Sequence, residues 1–438
     1  MNAVDLSRVR ANVRAARTIR TSGRVVRACG TMLQVRGVQA RIGELCRLWS
    51  EDDTRELLAE VVGVQDDTVL LMPLGGLHGI SARTRVETCG TVQSVLAGDA
   101  MLGRVLDPAA LPIDGGGSLQ AATRVPLLAS PPHPLARAPV QKHFETGIRV
   151  VDTLLTVGEG QRLGIFAAAG CGKSTLLGML ARRSAADINV IALIGERGRE
   201  IQEFIAGSLQ GDLSRSVLVV STSDTPALMR ARALYTATAI AEYFRDAGRR
   251  VLLLVDSITR FARALRDVGL TAGEPPTRRG FPPSVFSTLP QVLERAGNGA
   301  SGSITAFYTV LLEDEDTADP VGEEVRSILD GHLVLSRKLA SANHYPAIDV
   351  LQSVSRVMDR IVDEEHRQAA GTARRLLAKH REIEVLLQMG EYERGADRDA
   401  DAAVACTPRI EQHLCQRVDE SASFAESLVS LRRSIEVR

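Results

Sequence analysis

The sequence predicts an α/β protein: a parallel sheet buried on both faces, preceded by a small β-barrel and followed by a helical region. Three observations carry this expectation. Between about 150 and 345, apolar runs alternate with helical patterns; Val190-Ile191-Ala192-Leu193-Ile194, Val217-Leu218-Val219-Val220, Val251-Leu252-Leu253-Leu254-Val255 and Ile304 to Val310 are the clearest. Continuous apolar strands between helices belong to parallel sheets covered on both sides. Residues 24–95 instead hold short runs (Arg24-Val25-Val26-Arg27, Met32-Leu33-Gln34-Val35, Leu57 to Val62, Thr68 to Met72) punctuated by Gly30, Gly37, Gly63, Gly75 and Gly76, which suits a small barrel. From 352 onward the spacing is helical; Ile361 to Met389 reads as one or two helices, with Gly390 as the stop. The expected units are a basic helix at 1–23, the barrel at 24–95, a connecting segment at 96–150, the α/β domain at 151–350 and the helical domain at 351–438. The connecting segment carries Asp114-Gly115-Gly116-Gly117-Ser118 and Pro131-Pro132-His133-Pro134.

Composition narrows the function. The chain has 438 residues, 45% of them apolar, enough for a sizeable core. Lys+Arg and Asp+Glu both number 53, so no net field draws nucleic acid or membrane. Aromatics at 3% argue against a base-stacking platform. No apolar run approaches membrane-spanning length, and no secretory signal is visible. Cys29, Cys46, Cys89, Cys171, Cys406 and Cys415 lack paired spacing and read as reduced thiols of a cytoplasmic protein. Charge is uneven locally. Residues 1–27 hold seven arginines and one acid, with Leu6, Val9, Val13 and Ala16 at helical spacing. That segment fits a transit peptide, a docking helix, a membrane-surface helix or a solvated tail alike. Glu313 to Glu324 is an acidic stretch that reads as a solvated loop.

The chemistry is announced by Ala167-Ala168-Ala169-Gly170-Cys171-Gly172-Lys173-Ser174-Thr175, between an apolar strand and a helix-forming run. Small residues let backbone N–H groups approach phosphate oxygens, and the helix start adds partial positive charge. Lys173 is placed for the β- and γ-phosphates, Ser174 for Mg²⁺. The usual first glycine is Ala167, which the retained Gly170 and Gly172 make tolerable. Cys171 inside this loop makes inhibition by thiol reagents an expectation. Asp256 ends an apolar strand about eighty residues beyond the loop, where a carboxylate holds Mg²⁺, usually through water; by itself it would equally be a helix cap. Glu196, in Ile194-Gly195-Glu196-Arg197-Gly198-Arg199-Glu200, can orient a water and accept its proton. Glu200 competes for that role, or simply pairs with a nearby arginine. Phosphoryl transfer also needs positive charge at the transition state. Arg197, Arg260 and Arg356 are candidates, but spacing alone does not select them.

These motifs, with Arg279-Gly280-Phe281-Pro282-Pro283-Ser284-Val285-Phe286, Leu289-Pro290-Gln291, Glu294-Arg295-Ala296-Gly297, Ile328-Leu329-Asp330-Gly331-His332 and Tyr345-Pro346-Ala347-Ile348-Asp349-Val350-Leu351, resemble the type III secretion ATPases. Those are relatives of the flagellar export ATPase and of the catalytic subunit of rotary ATP synthases. The resemblance runs from about residue 24 to about 430. It implies a RecA-like P-loop ATPase core that uses ATP and Mg²⁺. It also implies that Ala168 to Thr175 bind nucleotide, that Lys173 and Ser174 contact phosphate and metal, and that Glu196 is the general base. Arg197 and Arg260 match positions near the γ-phosphate, and Tyr345 the aromatic that stacks on adenine. Arg356 matches an arginine finger that reaches a neighbouring subunit's nucleotide, which splits the site and requires a ring, expected to be a homohexamer.

Leu71-Met72-Pro73-Leu74-Gly75 and Gly390-Glu391-Tyr392 with Gly395 and Asp397 resemble the export branch, and the Ala167 to Cys171 loop resembles the virulence injectisome enzymes more than the flagellar ones. The implied partners are a stator-like regulator at the N-terminal helix, a stalk protein in the ring, chaperone–effector complexes at the C-terminal domain and the export gate at the inner membrane, but no nucleic acid. A ring nucleic-acid translocase and a non-hydrolysing rotary subunit are the rival readings. Charge balance and low aromatic content oppose the first, and Glu196 opposes the second.

Overall fold

A computed structural model describes residues 22–49, 56–119, 123–312 and 319–436. The proposed basic helix at 1–23 lies, but for its last two residues, outside the described residues. So does the acidic stretch at 313–318.

The chain forms two compact units. The first is a closed six-stranded antiparallel barrel of β1 (Ser22–Cys29), β2 (Met32–Arg36), β3 (Glu44–Trp49), β4 (Glu56–Gln65), β5 (Thr68–Pro73) and β6 (Arg85–Val92), in the order β1-β2-β5-β4-β3-β6. Alternation fills it: Leu33 and Val35 from β2, Cys46 and Leu48 from β3, Val86 from β6 point inward while their neighbours face out. Burial pushes the Cys46 thiol up to about 12, so it behaves as a small apolar filler rather than a nucleophile.

The second unit begins at Ser94. β7 (Ser94–Ala97) pairs with β9 (Thr123–Pro126), and β8 (Val105–Leu106) joins the edge of the main sheet. The segment expected to be a mere connection therefore supplies sheet. The remaining strands are β10 (Arg162–Ala167), β11 (Ile188–Glu196), β12 (Ser216–Thr222), β13 (Arg250–Asp256), β14 (Gly297–Asn298), β15 (Ser303–Leu311), β16 (Gly331–Leu335) and β17 (Val354–Ser355). The sheet runs β17-β16-β10-β15-β13-β11-β12-β8, with β14 paired off this path to β15. It is parallel from β16 to β8, with β17 antiparallel at its edge. β11 is buried along all nine residues, the signature of a strand covered by helices on both faces.

The acidic stretch is not loop throughout. Asp319 accepts from Val321 N at 3.2 Å and Pro320 opens the helix Pro320–Ile328, a capped start that satisfies the first orphan donor. The C-terminal region is helical: Glu364–Met389 is a single helix of 26 residues, begun by Asp363 and ended by Gly390 at φ 71, followed by Arg398–Leu414 and Phe424–Ser434.

One polar pair is locked into the interior. Arg295, 1% exposed, donates to Glu242 Oε1 at 2.9 Å and Oε2 at 2.5 Å, and to the Leu127 carbonyl at 2.7 Å. Truncating one partner strands the other charge in the core, which costs about 3–5 kcal/mol. Arg295→Ala is expected to lose that much stability, seen as an earlier urea midpoint.

Candidate active site

The strands β10, β15, β13 and β11 are neighbours, and their C-terminal ends gather the chemistry, where α/β sheets bind ligands. β10 ends at Ala167, whose strand backbone pairs with Leu311 and Leu335; no left-handed turn falls there, so alanine fits. The turn comes later, at Gly170 (φ 85) and Gly172 (φ 80), conformations that favour glycine. Ala169 and Gly170 are exposed while Ala168 and Cys171 are buried. The helix Lys173–Arg183 then starts, burying Leu176, Leu177, Met179 and Leu180 and exposing Ser174 and Thr175.

Lys173, Asp256, Glu196 and Arg260 converge. Lys173 Nζ lies 2.5 Å from Asp256 Oδ1 and 3.7 Å from Glu196 Oε1. Asp256 also accepts from Thr309 Oγ1 at 2.8 Å, a partner from β15 that no sequence signal marked. Arg260, on the helix Ile258–Thr271, pairs with the Glu196 carboxylate. Burial pushes the Glu196 carboxyl up to about 6. The Arg260 hydrogen bond opposes this, and the Glu200 hydrogen bond and the Asp256 charge reinforce it. Glu200 thus sits beside Glu196 as a neighbour, its own carboxyl held low by that hydrogen bond. Arg197 is not brought into the cluster: its side chain is 70% exposed and faces Glu200 at 3.8 Å. Arg356 is exposed as well, beyond β17, its guanidinium 3.4 Å from the Arg326 carbonyl.

Tyr345 stands over the loop; a side-chain carbon on Gly172 would lie 3.2 Å from its ring. It opens a cavity of about 610 Å³ lined by Leu176, Met179, Leu335, Pro346 and the loop Cys415–Glu420, a size and apolarity that suit a nucleobase. That loop, between the last two helices, is the part of the site the sequence did not reveal. It is tied down by Gln416, whose N donates to Tyr345 O at 2.8 Å and whose side chain bonds Arg149 N and Gly147 O at 2.8 and 3.0 Å. Among the described residues no cluster of three or more His, Cys, Asp or Glu forms a metal cage. Hard oxygens from Asp256 and Ser174 fit Mg²⁺, which keeps waters and phosphate oxygens rather than demanding an all-protein shell.

A glycine-bearing loop between strand and helix, a strand-end carboxylate pair and an adjoining cavity sized for a nucleobase make a candidate nucleotide-hydrolysing site. Its class is specific. Residues 147–355 match the ATP synthase alpha/beta family nucleotide-binding domain, 25–90 that family's beta-barrel domain, and 362–433 the T3SS EscN ATPase C-terminal domain. The chain is 57% identical to the type 3 secretion system ATPase of Xanthomonas euvesicatoria over 93% of each chain. It is 48% identical to the flagellum-specific ATP synthase of Treponema pallidum over 98% of this chain and 97% of that one. The assembled ATPase EscN of enteropathogenic E. coli superposes with a TM-score of 0.90 at 47% identity, covering 94% of this chain and all of that one; in complex with its central stalk EscO it gives 0.88. The chain belongs to the type III secretion ATPases and is an ATPase. Among the described residues no helix is long and apolar enough to cross a membrane.

Proposed function

We propose that the chain hydrolyses ATP within a homohexameric ring and energises type III protein secretion of the injectisome kind, releasing or unfolding chaperone-bound effectors. The observation that carries the chemistry is the meeting of Lys173, Asp256, Glu196 and Arg260 beside the base cavity. The backbone of Ala168 to Thr175 cradles the phosphates, Lys173 reaches the terminal ones, and Tyr345 stacks on adenine. Ser174 and Asp256 would hold Mg²⁺, which neutralises charge developing on the phosphoryl oxygens when bound. Glu196 orients the attacking water and takes its proton, and Arg260 fixes the carboxylate. Arg356 extends to the next subunit's nucleotide, with Arg197 a weaker candidate near the phosphate because it faces outward. Support for the ring and the stalk comes from the assembled relative and its stalk complex. The cargo complexes at 351–438, the stator-like regulator at the N-terminus and the cytoplasmic, membrane-peripheral location at the export gate follow from family membership.

Phosphate release measured over a protein concentration series tests the shared site: specific activity should rise steeply as rings form, and a flat series counts against it. A chaperone pull-down that survives deletion of 352–438 refutes the C-terminal docking role. Turnover stimulated by nucleic acid would revive the translocase reading.

The proton role sets a pH dependence. The Glu196 carboxyl lies above its ordinary value, so it gains a proton as pH falls through about 6. kcat/KM, which reports the free enzyme, is expected to fall below that pH, with full activity above it. An acid limb that is unchanged in Glu196→Gln would assign the titration elsewhere.

A further inference from the structure

We propose that Arg374, on the C-terminal helix Glu364–Met389, is a positioning residue for the finger: it fixes the backbone that presents Arg356 to the neighbouring subunit. The inference rests on the reading of Arg356 as an intersubunit finger.

Arg356 follows β17, which is two residues long and pairs with β16 through Gly331↔Ser355 and His332↔Val354. Two ladder positions cannot by themselves hold a strand that isolated hairpins many times longer barely maintain. The β16 side is close-packed: a side-chain carbon on Gly331 would fall 2.4 Å from the Val354 carbonyl oxygen, and Arg356 N donates to Asp330 O at 3.0 Å. The residues leading into the strand, 350–353, are held from the other direction. Arg374 donates to Val350 O at 2.8 Å, to Ser353 O at 3.4 Å from each terminal nitrogen, and to Leu154 O at 2.9 Å. One planar fork therefore clamps the approach to the finger against the end of the helix Arg149–Leu154. Charge-assisted bonds to carbonyls are roughly twice as strong as neutral ones, and the fixed geometry of five donors is a property lysine lacks. Seven residues further along the same helix, Arg381 meets Asp349 Oδ2 at 3.0 Å, and Asp349 Oδ1 accepts from Leu351 N and Gln352 N at 3.0 and 3.2 Å. The long helix thus grips the finger's approach at two points, and a tilt of that helix would be felt at Arg356.

A brace for the fold alone and a brace for the finger differ in which subunit they serve, and mixed rings separate them. Full-length Lys173→Ala and Arg356→Ala proteins, each nearly inactive, are mixed as the control; intact lysines then face intact fingers and activity partly returns. Arg374→Gln is expected to lower kcat on the order of 10²-fold, the cost of misplacing a reacting group by about 1 Å, with KM close to that of the parent; its melting midpoint falls because buried carbonyls lose their donor, so activity is read well below that midpoint. Mixed with Lys173→Ala it should recover, and mixed with Arg356→Ala it should not. Arg374→Lys, which keeps the charge without the fork, should show the same pairing at a smaller loss, and it serves if the glutamine variant folds poorly. Recovery with Arg356→Ala, recovery with both partners or with neither, or parental activity in both Arg374 variants overturns the assignment. Failure of the control pair in rings proven to be mixed removes the finger itself, whatever Arg374 does.

Discussion

Alanine in place of Arg356 is expected to cut kcat by about 10³–10⁵, the usual worth of an arginine finger, while nucleotide binding to the isolated subunit persists. The reason is positional. The side chain is exposed, beyond the sheet edge, and meets the Arg326 carbonyl rather than Lys173, Asp256 or Glu196 of its own chain. An exposed surface arginine should cost almost nothing to remove, so the size of the loss decides between surface charge and finger. Steady-state phosphate release with parallel binding of a fluorescent nucleotide analogue gives the answer. Activity within a few-fold of the parent would leave the ring without a shared active site.

Removing the carboxylate at Glu196 is expected to lower kcat by about 10²–10⁴, the span attributed to a positioned general base. Glu196→Gln preserves shape and most contacts but cannot accept a proton, so nucleotide affinity should hold while single-turnover cleavage collapses. Glu200 provides the internal check. It hydrogen-bonds Glu196 from the first turn of the helix Gly198–Glu203 and is more exposed, 35% against 9%. If Glu200→Gln were the more damaging change, the roles of the two carboxyls would be exchanged. If Glu196→Ala cleaved ATP at the parental rate, the assignment of this site would be wrong.

Much of this architecture could be read in advance because burial on two faces leaves a loud trace. β11 and β13 appear in the sequence as apolar runs, and each ends on a carboxylate of the candidate site. The barrel was legible only in part. Glu44 to Trp49 buries Cys46 and Leu48 and Arg85 to Val92 buries Val86 alone, with charges such as Glu44, Arg47 and Glu87 between them, so no apolar run announces them. Thr309 and the loop Cys415–Glu420 were invisible as site residues for another reason. They reach the candidate site by tertiary contact from strands and helices far along the chain, and neither residue type nor spacing encodes such contacts. Arg295 falls within a sequence motif, yet its partner Glu242 lies 53 residues away, and the buried pair declares itself only in three dimensions.

The pairing of Gly331 with Ser355 carries a lesson about length. Upstream of it the chain turns rather than extends: Asp349 Oδ1 braces Leu351 N and Gln352 N, and only Val354 and Ser355 are strand. An added or deleted residue between Asp349 and Ser355 would break that turn and shift where the chain meets β16, misplacing the guanidinium while the other residues of the site stay put. Variation in this stretch is therefore constrained by length as much as by chemistry: an indel of any size should leave nucleotide binding standing and abolish turnover.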